Sequence, residues 1–194
     1  HKEKLVIALL AKGQAPRSMV FCNTRKGCQE LGTALKVQKL RVDYIHGELS
    51  QSDRKQVMNR FRSGQIGILV ATDVAARGLD IEGITLVINF NVAQSGDDHV
   101  HRIGRTGRAG QVGKAITLVS SNEWNQMSSI ERYLKLRFEH RKVPGLQASY
   151  RGPVKVKKSG KAAGSKKTKA RRSQKKTAQP KKRGGEIGYK PLKR

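Results

Sequence analysis

Five short apolar runs, at residues 18–22, 42–45, 66–71, 85–89 and 115–119, recur along the chain, each separated from the next by a stretch that leaves room for a helix or loop. Two of them, residues 67–71 (GILVA) and 85–87 (TLV), are nearly continuously hydrophobic and do not alternate with polar residues. A strand reads this way when both of its faces are covered, and helical crossovers between strands provide that cover while forcing the strands parallel. The expected fold class is therefore α/β, an open parallel sheet with helices on both faces. Asn23 or Thr24 can cap a helix reaching Lys39, and Ser50 with Asp53 three residues on opens another to about Arg62. A first helix at residues 3–11 and a last at about 123–136, containing Trp124, are expected on the outside.

In open α/β sheets ligands gather at the loops leaving the carboxyl ends of the strands. Those loops, residues 23–25, 46–51 and 72–80, hold polar and glycine-rich sequence unsuited to packing. The most informative stretch is residues 101–108 (HRIGRTGR), followed by Arg77, Gly78, Leu79 and Asp80. Arg102, Arg105 and Arg108 are spaced so that their guanidinium groups could share a helical face, and Gly104 and Gly107 leave room for a phosphate or another backbone. Arginine suits phosphate because its planar fork donates paired hydrogen bonds and never loses its charge. The same spacing also fits a solvated surface helix.

Taken in order, residues 18–24 (SMVFCNT), His46 and Gly47 with Gln51 and Arg54, residues 71–80 (ATDVAARGLD) and residues 101–108 resemble the successive motifs of the DEAD-box ATP-dependent RNA helicases. The resemblance runs from about residue 2 to residue 138. Helicases of the DEAH and Ski2 kinds usually begin the last motif with Gln, so His101 points to the DEAD-box branch. The resemblance implies a RecA-like helicase C-terminal domain, placed at residues 1–140, and a role as one half of a two-domain motor. It implies that Arg105 and Arg108 are arginine fingers reaching an ATP, with Mg2+, that is bound mainly on an N-terminal motor domain. Gly78 and Asp80 would also meet the nucleotide, Asp80 through the ribose hydroxyls. Thr24, Gly47, Gln51, Arg54 and Thr72 would hold the backbone of one RNA strand without reading its sequence, and His101 with Arg102 would couple the two sites.

Several of these residues have plainer uses. The hydroxyls of Thr24 and Ser50 serve equally as helix caps, and Asp80 fits a turn before the next strand. His101 has the chemistry of a general base, but the resemblance gives water activation to an acid of the other domain. No metal ligands are assigned: Cys22 and Cys28 lack a second pair at ligand spacing, and His46 and His99 are not read as ligands. His99, beside Asp97 and Asp98, departs from the aromatic residue often found two places before the last motif.

The net charge is +27, and residues 151–194 hold 18 Lys and Arg against one acid, Glu186, so 17 of those charges lie in this segment. With few large apolar residues it cannot offset the entropy of ordering. Residues 141–194 are therefore expected to be a basic, largely disordered RNA-binding tail whose contacts with phosphates weaken with salt. A phosphate-cradling G-x-x-x-x-G-K-[ST] loop and an acidic magnesium motif are missing, residues 107–114 (GRAGQVGK) being only superficially similar. The chain is thus expected to be the second of two motor domains, inactive as an ATPase without its N-terminal partner. No signal peptide or membrane span is read, and a cytoplasmic location follows as an expectation. Ribosomal or ribonucleoprotein particles are expected partners by analogy. Rival readings are a non-enzymatic basic RNA-binding or annealing protein, and a DNA helicase or translocase built on the same paired domains.

Overall fold

The computed structural model describes residues 1–11, 17–79, 81–107, 112–147, 150 and 152–163. Asp80, Arg108 and the basic segment from residue 164 onward lie outside the described residues. Five parallel strands, β1 (Ser18–Cys22), β2 (Val42–Ile45), β3 (Ile68–Thr72), β4 (Leu86–Asn89) and β5 (Lys114–Thr117), form one sheet in the order β2-β3-β1-β4-β5. Among the described residues six helices accompany them: α1 (Lys2–Ala11), α2 (Arg25–Val37), α3 (Gln51–Arg62), α4 (Asp73–Ala76), α5 (Gly96–Ile103) and α6 (Trp124–Leu134).

The strands divide their side chains between two cores, which is why they read as unbroken apolar runs. Met19, Phe21, Leu69, Ala71 and Val87 pack with Val57, Met58 and Phe61 of α3 and Ala75 and Ala76 of α4. Their sequence neighbours Val20, Cys22, Ile68, Val70, Leu86 and Ile88 pack on the opposite side with Val6 of α1 and Cys28, Leu31 and Leu35 of α2. Successive residues thus alternate between the two cores, as the pleat dictates. A third cluster, Val92, Ala93, Met127 and Ile130, seats α6 beyond β4. Cys22 and Cys28 are fully buried and free, and burial pushes the Cys28 thiol up to about 12, so both act as apolar packing groups.

The helix starts follow their caps. Thr24 Oγ1 accepts from the Gly27 N–H at 3.1 Å and Ser50 Oγ from the Asp53 N–H at 3.1 Å. Gly32 of α2 lies so close to β2 that a Cβ there would sit 2.6 Å from the Tyr44 ring. At the edge strand, Asp43 is clamped between Lys36 of α2 (2.7 Å) and Arg60 of α3 (2.6 Å), which ties the two helical layers together across the sheet edge.

Candidate functional site

All five strands end on one edge, and the loops leaving β1, β2, β3 and β4 carry the residues singled out by sequence. Two neighbouring groups result. The first lies at the ends of the adjacent strands β2, β3 and β1. Thr24, Gly47 and Gln51 are exposed, Arg54 is half-buried with a guanidinium N–H 3.4 Å from the Ala75 carbonyl, and Thr72 is buried at the end of β3. An ion pair between Arg25 and Glu48 joins the start of α2 to the loop after β2. The Thr24 oxygen that caps α2 accepts a hydrogen bond, which leaves its own O–H able to donate outward. Capping and anion binding are therefore compatible at this residue.

The second group surrounds Arg102, whose side chain is 1 % exposed. Its guanidinium makes a two-pronged ion pair with Asp73, Nε to Oδ1 and Nη2 to Oδ2, both 2.7 Å. It also donates to the Asn91 carbonyl (2.8 Å) and to Asn23 Oδ1 (2.7 Å), and it lies 5.3 Å over the Phe21 ring. Asn23 in turn donates to the Val92 carbonyl at 2.9 Å. One side chain thus pins the exits of β1, β3 and β4 to α5. Arg102 and Arg105 do not share a helical face, because α5 ends at Ile103 and Gly104 caps it; Arg102 turns inward, whereas Arg105 follows in the next turn, and Arg108 lies outside the described residues.

Arg105 is half-buried and donates to the Leu79 carbonyl at 2.7 Å, and Thr106 donates to the Ile84 carbonyl at 2.6 Å. These bonds lay residues 104–107 beside the segment after α4. There Gly78 is exposed with φ +71°, a left-handed conformation that glycine adopts without strain, and a Cβ would meet nothing within 4 Å. Arg77 reaches Asp98 at 3.0 Å. The Asp98 carboxyl is held below its usual range by the Ser95 hydroxyl, against a smaller opposing effect of burial, with Arg77 adding to the depression.

Arg77, Arg105 and the exposed His101, with Asp73, Asp98 and Arg102, line a crevice that encloses only about 10 Å³. That is room for about one water. The crevice offers cationic contacts to a ligand but cannot enclose a nucleotide by itself, so it has the form of part of a site. Among the described residues no group of three or more His, Cys, Asp or Glu comes together to hold a metal, and no helix is long and apolar enough to cross a membrane.

Sequence reasoning missed the partners of Arg102. Asn23 and Asp73 lie within the motifs at residues 18–24 and 71–80, which give them no role with Arg102; Asn91 lies outside every motif, and only the fold reveals them as one network. It also missed α5 as a helix, although Ser95 with Asp98 three residues later is a capping signal of the kind recognised at Ser50. His99 fills the place of the expected aromatic residue by burying its ring 5.2 Å from that of Phe138.

Residues 1–110 match the family described as the helicase conserved C-terminal domain. The DEAD-box ATP-dependent RNA helicase CshA of Geobacillus kaustophilus is 45% identical over 159 residues, covering 80% of this chain and 34% of that protein. The chain therefore spans about a third of the length of the curated relatives it matches. Among solved structures, the Escherichia coli DEAD-box protein SrmB, bound to regulator of ribonuclease activity A, superposes with a TM-score of 0.76 at 38% identity, over 80% of this chain and 91% of that one. Saccharomyces cerevisiae Dbp5 bound to RNA and ADP BeF3 superposes with a TM-score of 0.64 at 32% identity, over 68% of this chain and 36% of that one.

Proposed function

The chain belongs to the DEAD-box RNA helicases as their C-terminal helicase domain, and from that premise we propose that it is the second half of an ATP-driven RNA-remodelling motor whose first half is an N-terminal motor domain. ATP, when bound between the halves, supplies the phosphoryl group whose transfer to water drives the cycle. Arg105 and Arg108 act as arginine fingers on the charge that develops there, with Gly78 and Asp80 beside the nucleotide. The fit of the described residues supports this. Arg77 and Arg105 bring planar cations to a narrow crevice, and the backbone at Gly78 is open to close approach.

On the neighbouring strand ends, Thr24, Gly47, Gln51, Arg54 and Thr72 hold phosphates and 2′-hydroxyls of one RNA strand. Hydroxyls, amides and guanidinium groups there donate to the backbone and carry no base preference. Dbp5, a structural neighbour, is a protein bound to RNA and ADP BeF3 in its solved structure. The observation that carries the reading is the Arg102–Asp73 ion pair. Asp73 directly follows Thr72 of the RNA group, and Arg102 directly follows His101 of the crevice, so one buried link joins the two groups.

The test is steady-state turnover by the complete two-domain protein. Arg105→Ala or Arg108→Ala should lower RNA-stimulated ATP hydrolysis by roughly a thousandfold or more and leave affinity for single-stranded RNA largely unchanged. Wild-type turnover in both variants would overturn the assignment.

A further inference from the structure

Lys2 and Glu123 form an ion pair that belongs to none of the motifs. Neither side chain serves the helix beside it. Lys2 is the first residue of α1, where the positive end of a helix disfavours a cation. Glu123 precedes α6, where an acid would suit a cap, yet it makes no capping bond. Both side chains turn instead to the segment that leaves β4.

That segment, residues 90–92, is gripped from two directions. From one, Lys2 Nζ donates to the Phe90 carbonyl at 2.8 Å and to Glu123 Oε2, and it lies 5.7 Å over the Phe90 ring. Glu123 Oε1 accepts from the Val92 N–H at 3.2 Å. Its Oε2 also accepts from the Ser120 N–H at 3.0 Å and from the Ser120 hydroxyl, which brings in the loop after β5. From the other direction, Arg102 donates to the Asn91 carbonyl at 2.8 Å. Asn23 donates its backbone N–H to Asn91 Oδ1 at 3.2 Å and its side-chain amide to the Val92 carbonyl at 2.9 Å.

The pair is not a solvated surface contact, which would contribute little: the side chains of Lys2 and Glu123 are 19% and 15% exposed. Burial pushes the Glu123 carboxyl up, but hydrogen bonds from Lys2 and Ser120 outweigh it and keep the group below its usual range. The carboxylate is therefore ionised at neutral pH and has both oxygens engaged. What it holds is the seat of two residues already placed at the site. Asn23 precedes Thr24, and Arg102 follows His101 and grips Asp73, the neighbour of Thr72.

We propose that Glu123, anchored by Lys2, is a positioning residue of the motor: it fixes residues 90–92 as the seat of Asn23 and Arg102, so that the sheet-edge group and the crevice respond to RNA and ATP together. Lys2 makes the first turn of α1 part of the same seat. The inference rests on the two-site function proposed above, and neither Lys2 nor Glu123 is assigned a contact with nucleotide or RNA.

The experiment uses the complete two-domain protein and a labelled single-stranded RNA, titrated without nucleotide and with ADP BeF3 as a mimic of ATP. The ratio of the two affinities measures the coupling between the sites, typically about 5- to 150-fold where such coupling exists. Glu123→Gln keeps the size of the side chain and removes its charge. Lys2→Gln leaves Glu123 and its bonds to Val92 and Ser120 in place, and it keeps the test decisive if Glu123→Gln fails to fold. Each variant is expected to lower the coupling ratio by about fivefold or more, with nucleotide-free RNA affinity close to wild type. In steady-state ATP hydrolysis the same loss should raise the KM for RNA by a larger factor than it lowers kcat.

A wild-type coupling ratio in the folded variants overturns the proposal. So does an equal loss of RNA affinity with and without ADP BeF3, the mark of residues that only hold the fold together. The wild-type protein supplies the separate control: if its own RNA affinity does not depend on nucleotide, the two-site function itself fails and this inference with it.

Discussion

Arg102 and His99 lie three residues apart on α5, and both are buried where their residue types are usually exposed. Arg102 is sustained by four hydrogen bonds at 2.7–2.8 Å to Asp73, Asn91 and Asn23. Lysine keeps the charge but lacks the planar fork, so Arg102→Lys leaves at least one buried acceptor unsatisfied. The expected cost is about 1–3 kcal/mol, read as a lower urea midpoint at unchanged slope. His99 has no such support. Its Nδ1 is buried without a hydrogen-bond partner among the described residues, and burial first, then the neighbouring Arg102 charge, lowers its pKa. The unfolded chain therefore takes up a proton at His99, near pH 6.5, before the folded protein does. Stability contributed by neutral His99 is complete above that pH and declines as pH falls toward the lowered folded value. His99→Phe, which keeps a ring against Phe138, should flatten this part of the stability profile between pH 7.5 and 5.5, measured by urea denaturation; an unchanged profile would show that His99 does not titrate in that window. The residue type and position of both side chains were plain in the sequence. Their inward orientation was not, because it depends on α5 ending at Ile103 and on what lies beneath it.

At the scale of elements, local rules carried far. The five strands fall within a few residues of the apolar runs, and Thr24 and Ser50 cap the helices that their spacing suggested. α4 escaped because four residues show no periodicity, and α5 (GDDHVHRI) because its polar composition hides the one face it buries. The helix start at Thr24 also offers a way to separate its two roles. Aspartate caps helices as well as threonine does and suits the positive end of the helix. Thr24→Asp should thus hold stability to within about 0.5 kcal/mol, yet repel phosphate and weaken single-stranded RNA binding. Equal RNA affinity in the variant would reduce Thr24 to a cap.

Over the whole molecule, the charge is divided between surfaces that the fold specifies and a segment it does not describe. Residues 164–194 carry 13 Lys and Arg against Glu186. Their removal is expected to weaken RNA binding more at low salt than at high salt and to leave the turnover rate at saturating RNA intact; an equal loss at both salt concentrations would argue against a purely electrostatic contribution. The sequence by itself determined the parallel α/β class, the covering of both sheet faces, the helix caps and the family, since each of these is written in periodicity, capping residues or ordered motifs along one dimension. Only the tertiary structure decided which arginine faces inward, that a crevice of about 10 Å³ is only part of a site, and that residues 152–163 fold back onto α6. Those outcomes depend on the crossover order β2-β3-β1-β4-β5 and on Gly160 meeting Ser128. The strand order brings Asn23, Asp73, Asn91 and Arg102 to one point from across 79 positions of chain, and no local pattern records a meeting between residues so far apart.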